Sequence, residues 1–418
     1  MAIPRPQPFR IAVPDAVLDD LRERLARTRL PDEPPLAPWS TGTSVSYLRE
    51  LLAYWRDGFD WRRQEAKLNA FAQFTVPLAG IALHFIHAPG RGPHPLPLLL
   101  AHGWPGSVWE FYKILPLLTD PARFGGDPAD AFTVVAPSLP GYAFSFRAGQ
   151  PRFGIEEIAD AFAALMTDVL GYARFGAQGG DWGAFIGSRL AYAHPEHVFG
   201  LHLNMLAVRR DPKMLAQPTA EERLFLGALE HFVKEETGYQ WIQGTKPTTL
   251  AFGLTDSPAG LAAWLVEKFR MWTDCDGEPE RALTRDEMLT DIMLYWATGA
   301  IGSSFWPYYA RMHRPWPIPD GATIDVPMGY AEFPKEILRP PRSVAERMYS
   351  DIRRWTVMPK GGHFAALEQP EALAHEIRAF FRPLVRQGLK HCDLVSRGSA
   401  AWPSEDKRNN VLRPSHSD

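Results

Sequence analysis

Five short, almost wholly apolar runs recur across the first half of the chain, at residues 81–87, 97–102, 133–137, 173–178 and 198–203. Helical stretches separate them, among them 107–118 and 155–170. A continuously apolar strand must be covered on both faces, and parallel neighbours need a crossover between them. The alternation therefore predicts an α/β fold, with a mainly parallel central sheet and helices on both faces. From 207 to 315 strand signals vanish and aromatic-rich helices dominate, which predicts an inserted helical lid. The α/β pattern resumes with strands at 324–330 and 355–359 and ends in a helix over 370–381. The expected organisation is an N-terminal helical arm or meander (1–75), a first core part (76–206), a lid or cap (207–318) and a second core part (319–386). A polar tail (387–418), expected to be poorly ordered, completes it.

In the arm, a helix over 15–29 places Val17, Leu18, Leu21 and Leu25 on one face. Pro31, Pro34, Pro35 and Pro38 then force an extended link, and a second helix over 46–59 carries Leu48, Leu51, Leu52 and Trp55. Two short helices bury little alone, so the arm should pack on another unit. The 418 residues are 45% apolar, enough for a large core. A net charge of -3 with dispersed basic residues leaves no electrostatic footprint for nucleic acid or an anionic membrane. Two cysteines, Cys275 and Cys392, make no disulfide framework and suit a reducing compartment. No apolar run approaches the roughly 18 residues of a membrane span, and residues 1–10 lack an apolar h-region. A soluble, cytoplasmic protein is expected.

The chemistry concentrates at Gly179-Gly180-Asp181-Trp182-Gly183, which joins the fourth strand to an apolar helix. The frame is small-x-nucleophile-x-small, with aspartate where a hydrolase normally carries serine. A carboxylate held there, near the positive end of a helix, stays ionised and can attack an electrophilic carbon to form an ester. Gly-Gly-Asp could alternatively be an ordinary turn that N-caps a helix. Hydrolysis of an ester needs a base, and His363, in Gly361-Gly362-His363-Phe364 just past the last strand, is the best candidate. The imidazole needs an orienting carboxylate, and both Glu332 and Glu336 follow the preceding strand. Backbone N–H groups of Trp104, in His102-Gly103-Trp104-Pro105-Gly106, and of Trp182 are candidate oxyanion donors. There is no G-x-S-x-G, so a serine esterase has no nucleophile. No G-x-G-x-x-G or Walker sequence occurs, so no NAD or ATP is expected, and no cofactor or metal. His84 and His87 should face opposite sides of a strand, and His194 and His197 should lie on the surface.

With these pieces assembled, the chain resembles the α/β-hydrolase epoxide hydrolases, in the branch typified by the microsomal enzyme, but without its membrane anchor. The likeness covers roughly residues 5–385 and includes the arm. Its motifs are Asp60-Trp61-Arg62-Arg63-Gln64-Glu65-Ala66-Lys67-Leu68-Asn69, HGWPGS at 102–107, GGDWG at 179–183, FPKEI at 333–337 and GGHFAALE at 361–368. The resemblance implies the α/β-hydrolase fold and assigns the acid to Glu336. It also implies two lid tyrosines that donate to the epoxide oxygen: Tyr239, and Tyr308 with Tyr309 as the alternative. The implied substrates are a small apolar epoxide and water, with a possible homodimer. Alternative readings are a haloalkane or haloacid dehalogenase with the same Asp–His–acid logic, and a non-catalytic ligand-binding protein.

Overall fold

The structure is a computed structural model and describes residues 4–208 and 216–386. The tail from 387, with Cys392, and part of the expected lid lie outside the described residues. Nine strands form one sheet: β1 (Gln7–Phe9), β2 (Gln73–Leu78), β3 (Ile81–Ala88), β4 (Leu96–Ala101), β5 (Phe132–Pro137), β6 (Phe175–Gly179), β7 (Val198–Leu203), β8 (Met328–Glu332) and β9 (Ile352–Val357). Their order is β1-β2-β3-β5-β4-β6-β7-β8-β9. Pairings from β1 to β5 are antiparallel, and those from β5–β4 to β8–β9 are parallel.

Strand alternation divides the interior into two cores. Leu99 and Ala101 of β4 enter one, while Leu96, Leu98 and Leu100 enter the other. β5 splits likewise, Val135 against Phe132, Val134 and Ala136. Helices Ile155–Ala164 and Trp182–Ala193 fill the first core. Helices Ile114–Thr119 and Pro370–Arg386 fill the second, where the Phe381 ring meets Phe132 at 5.8 Å and Phe199 at 5.7 Å. A sheet covered on both faces explains why its strands read as unbroken apolar runs.

The arm motif at 60–69 works as a knot. Asp60 caps helix Trp61–Leu68 by accepting the Arg63 N–H at 3.2 Å. Glu65 Oε1 accepts from Val13 N–H at 2.8 Å and Trp61 Nε1–H at 3.1 Å. Asn69 brackets Ile11, accepting its N–H at 2.9 Å and donating to its carbonyl at 2.8 Å. Tyr54 Oη–H and Gln64 Nε2–H both donate to Asp286, at 2.7 and 3.0 Å, so the arm is bonded to a helix inserted between β7 and β8.

That insertion contains helices Ala220–Glu235, Gly238–Thr245, Pro247–Asp256, Pro258–Trp272, Arg285–Thr298 and Trp306–His313. Among the described residues no helix is long and apolar enough to cross a membrane.

Several elements depart from the sequence-based expectations. The stretch 107–118 is a single turn, Val108–Phe111, followed by helix Ile114–Thr119. Pro116 lacks the N–H that would bond back to Tyr112 and join the two. The expected strand 324–330 begins only at Met328, after Pro327, and Ile324 makes an isolated bridge to Tyr349. Strand β9 lies at Ile352–Val357, earlier than expected, and the last helix continues through Pro383 to Arg386.

Candidate active site

Asp181 sits between β6 and helix Trp182–Ala193 with φ 47° and ψ -128°, a conformation that a residue with a β-carbon rarely adopts. The turn is possible because a β-carbon at Gly183 would lie 1.9 Å from the Ala101 carbonyl oxygen, so only glycine lets helix and sheet approach this closely. Trp182 opens the helix, so its N–H belongs to the first turn, whose donors have no intrahelical partner.

The loop after β4 closes on the same side chain. Trp104 N–H donates to Asp181 Oδ1 at 2.7 Å. A β-carbon at Gly103 would stand 2.1 Å from that oxygen, which explains the glycine before Trp104. His102 fixes the loop from behind: Nδ1–H donates to the Gly103 carbonyl at 3.0 Å, and Nε2 accepts the Leu139 N–H at 3.1 Å. Burial lowers its pKa to about 4, so it stays neutral, as that bonding pattern requires.

His363 faces Asp181 from the other side, with Nε2 3.5 Å from Oδ2. Its Nδ1–H donates to Glu336 Oε1 at 2.7 Å. Glu332 is turned elsewhere and accepts from Trp355 Nε1–H at 3.1 Å, so geometry separates the two candidate acids. Burial opposes charge on His363, but Glu336 and then Asp181 outweigh it and hold the imidazole well above its ordinary value. The loop is clamped by the end of helix Pro258–Trp272. His363 N–H donates to the Trp272 carbonyl at 2.8 Å, Gly361 N–H to Asp274 Oδ2 at 2.9 Å, and Asp274 N–H to Glu368 Oε2 at 2.8 Å.

An aromatic cluster covers this triad. Tyr239 stacks on Trp104, with ring centroids 5.4 Å apart and planes at 13°. Tyr308 meets Trp182 edge-on at 4.6 Å and Trp104 at 5.8 Å. The two tyrosine rings are 5.8 Å apart. Burial raises both phenols, and the Asp181 charge adds to the effect on each. Tyr309 is outside the cluster, stacked on His313 at 4.0 Å and on Trp306 at 4.8 Å.

Two polar neighbours were not among the candidate site residues. Gln240 Nε2–H donates to Tyr239 Oη at 2.9 Å, and Glu110 lines a small cavity shared with Asp181 and His363. His84 and His87 do face opposite ways, toward Ser138 and Gln73 and toward Tyr172. His194 and His197 are half-buried, not on the open surface, because Asp160 and the Ala173 carbonyl hold them at 2.8 and 2.9 Å. Among the described residues no group of three or more His, Cys, Asp or Glu is placed to hold a metal ion.

Two family models match, "Epoxide hydrolase N terminus" over residues 6–111 and "alpha/beta hydrolase fold" over 97–253. Epoxide hydrolase 1 of Sus scrofa is 40% identical over 415 residues, covering 91% of this chain and 89% of that protein. The chain belongs to the epoxide hydrolases. The juvenile hormone epoxide hydrolase of the silkworm Bombyx mori has a similar crystal structure, with TM-score 0.82, 32% identity and coverage of 92% and 96% of the two chains. The Aspergillus niger epoxide hydrolase follows at TM-score 0.80 and 31% identity, covering 92% of this chain and 97% of its own. As an epoxide hydrolase, this protein takes an epoxide and water as substrates. Its sheet and inserted helices are those of the α/β-hydrolase fold.

Proposed function

We propose that this epoxide hydrolase works through a covalent ester on Asp181, with the inserted helices acting as a lid. One observation carries the reading. Asp181 has one oxygen fixed by the Trp104 N–H at 2.7 Å, while the other faces His363 Nε2 at 3.5 Å. The second oxygen is free to attack an oxirane carbon, and the first is already where a tetrahedral oxyanion needs a donor. Tyr239 and Tyr308 donate to the epoxide oxygen as the carbon–oxygen bond breaks; their buried hydroxyls have no bulk water to compete. The surrounding rings of Trp104, Trp272 and Phe305 favour an apolar substrate.

Ester formation also prepares the second half-reaction. It removes the Asp181 charge, one of the two that hold the His363 pKa up, so the imidazole becomes readier to exist as the free base. His363, oriented by Glu336, then takes a proton from water as that water attacks the ester carbonyl, and a vicinal diol leaves.

A single turnover in heavy-oxygen water tests this. Label should enter the Asp181 carboxylate, and Asp181→Ala should form no diol. His363→Gln should accumulate protein plus substrate in the mass spectrum. Label confined to the diol would mean direct attack by water, and halide release from haloalkanes without diol formation would favour the dehalogenase reading.

A further inference from the structure

A cavity of about 20 Å³ touches Asp181 and His363. One water needs roughly 10–15 Å³, so it holds about one. Its other walls include Glu110, Gln178, Asn204 and Ala366, from β6, the segment after β7 and the short helical turns Val108–Phe111 and Ala365–Glu368. Neither Trp104, Tyr239, Tyr308 nor any residue of the inserted helices lines it. Asp181 therefore borders both the aromatic cluster and a separate small chamber of mixed polarity. After ester formation the alkyl group occupies the first, and the attacking water needs a place beside both the ester carbonyl and His363.

Glu110 is built into that chamber. Its side chain folds back over the loop, so that a β-carbon at Gly106 would lie 1.4 Å from Oε1. Buried Trp109 and Phe111 flank it, and its carboxyl has no hydrogen-bond partner among the described residues. A carboxyl that faces a water-sized space and bonds to no protein group is available to a water. Gln178 Nε2–H donates to Asn204 Oδ1 at 2.8 Å, which ties down the far wall.

We propose that this cavity is the chamber of the hydrolytic water and that Glu110 is its positioning residue. The proposal rests on the covalent reading above. The water oxygen bonds to Asp181 Cγ, its proton passes to His363 Nε2, and the carbonyl electron pair moves onto Oδ1 at the Trp104 N–H. On collapse the bond from Cγ to the alkyl oxygen breaks, and that oxygen takes the proton from His363. Glu110 ends each cycle as it began. Burial, and then the neighbouring Asp291, hold its carboxyl well above the usual range, which favours the neutral form with one donor and one acceptor for the water.

The two half-reactions are followed separately in the full-length chain by rapid quench and mass spectrometry, with an epoxide that the wild type turns over. Glu110→Ala should slow ester hydrolysis by about 10²-fold, the scale of a misplaced reactant, and leave alkylation within about threefold. Glu110→Gln, which keeps a donor and an acceptor, should recover most of the lost rate. Ala366→Val narrows the chamber from another wall and should also slow hydrolysis alone, which keeps the test open if Glu110→Ala folds poorly. Hydrolysis at the wild-type rate in both Glu110→Ala and Ala366→Val overturns the proposal, and so does an equal loss in both half-reactions. If no ester forms even in His363→Gln, the covalent reading itself fails, and the proposal goes with it.

Discussion

A phenol donating to an oxygen that gathers charge matters most while the bond breaks, so the proposed roles of Tyr239 and Tyr308 are best separated by half-reaction. Tyr239→Phe and Tyr308→Phe each remove one hydroxyl and keep the ring that packs on Trp104. Each should lower the alkylation rate by about 10²–10³, the cost of one donor at a developing oxyanion, and leave hydrolysis of the ester near wild type. Tyr309→Phe should be silent, because that ring stacks on His313 and Trp306 and, among the described residues, makes no ring contact with the cluster. Stopped-flow tryptophan fluorescence is a suitable probe, since Trp104 and Trp182 bracket Asp181. A silent Tyr308→Phe with an impaired Tyr309→Phe would reverse the assignment.

Helix Arg285–Thr298 shows how one element fixes the site from outside. Its Asp291 Oδ1 accepts from Ser107 Oγ–H at 2.5 Å, Tyr295 Oη–H donates to the Gly106 carbonyl at 2.7 Å, and Trp109 Nε1–H donates to the Glu287 carbonyl at 3.1 Å. Asp291 Oδ2 is buried without a hydrogen-bond partner among the described residues, and burial pushes the carboxyl pKa up to about 8. The folded state therefore binds a proton that the unfolded chain releases near pH 4, so this group favours folding below that pH and its contribution is lost as pH rises to about 8. Asp291→Asn keeps a partner for Ser107 without a charge to bury. Its unfolding free energy in denaturant should gain on wild type steadily from pH 4 to 8, by an amount on the order of a few kcal/mol at the upper end. A constant difference across that range would show that Asp291 does not titrate there.

Elements of this kind were unevenly legible in sequence. The parallel strands were readable because both faces are buried, and the turn that carries Asp181 because Gly179 and Gly183 are sterically obligatory. β2 was hidden by Pro77, which the sheet tolerates because β1 covers only Gln73–Thr75. β9 was obscured by Arg353 and Arg354, the latter neutralised by Glu376 at 2.7 Å. The pairing of His363 with Glu336 over Glu332 was not readable from chemistry alone, since both follow β8 and only the path of the loop distinguishes them. Glu110 carried no signal, because the chamber that gives it meaning is assembled from β6, β7 and the His363 loop.

At the scale of the whole molecule, the proposed chemistry and much of its bracing fall on different parts of the chain. Core loops hold Asp181, Trp104 and His363, and the inserted helices bring Tyr239 and Tyr308 over them. Among the described residues, no arm side chain lines the chamber or belongs to the aromatic cluster. The arm instead braces the inserted helices through Asp286, which accepts from Tyr54 and Gln64, and through Thr43, whose hydroxyl donates to the Ala263 carbonyl at 2.7 Å. Asp286→Ala strands both donors and should cost about 1–3 kcal/mol in denaturant unfolding. At 25 °C its kcat and KM should stay within about twofold of wild type, because the bonds it breaks lie outside the site. Heating should then separate the two enzymes, with the variant losing activity at a lower temperature. A large fall in kcat at 25 °C without loss of stability would mean that the arm reaches the chemistry through the inserted helices, and that support and catalysis are not separable in this protein.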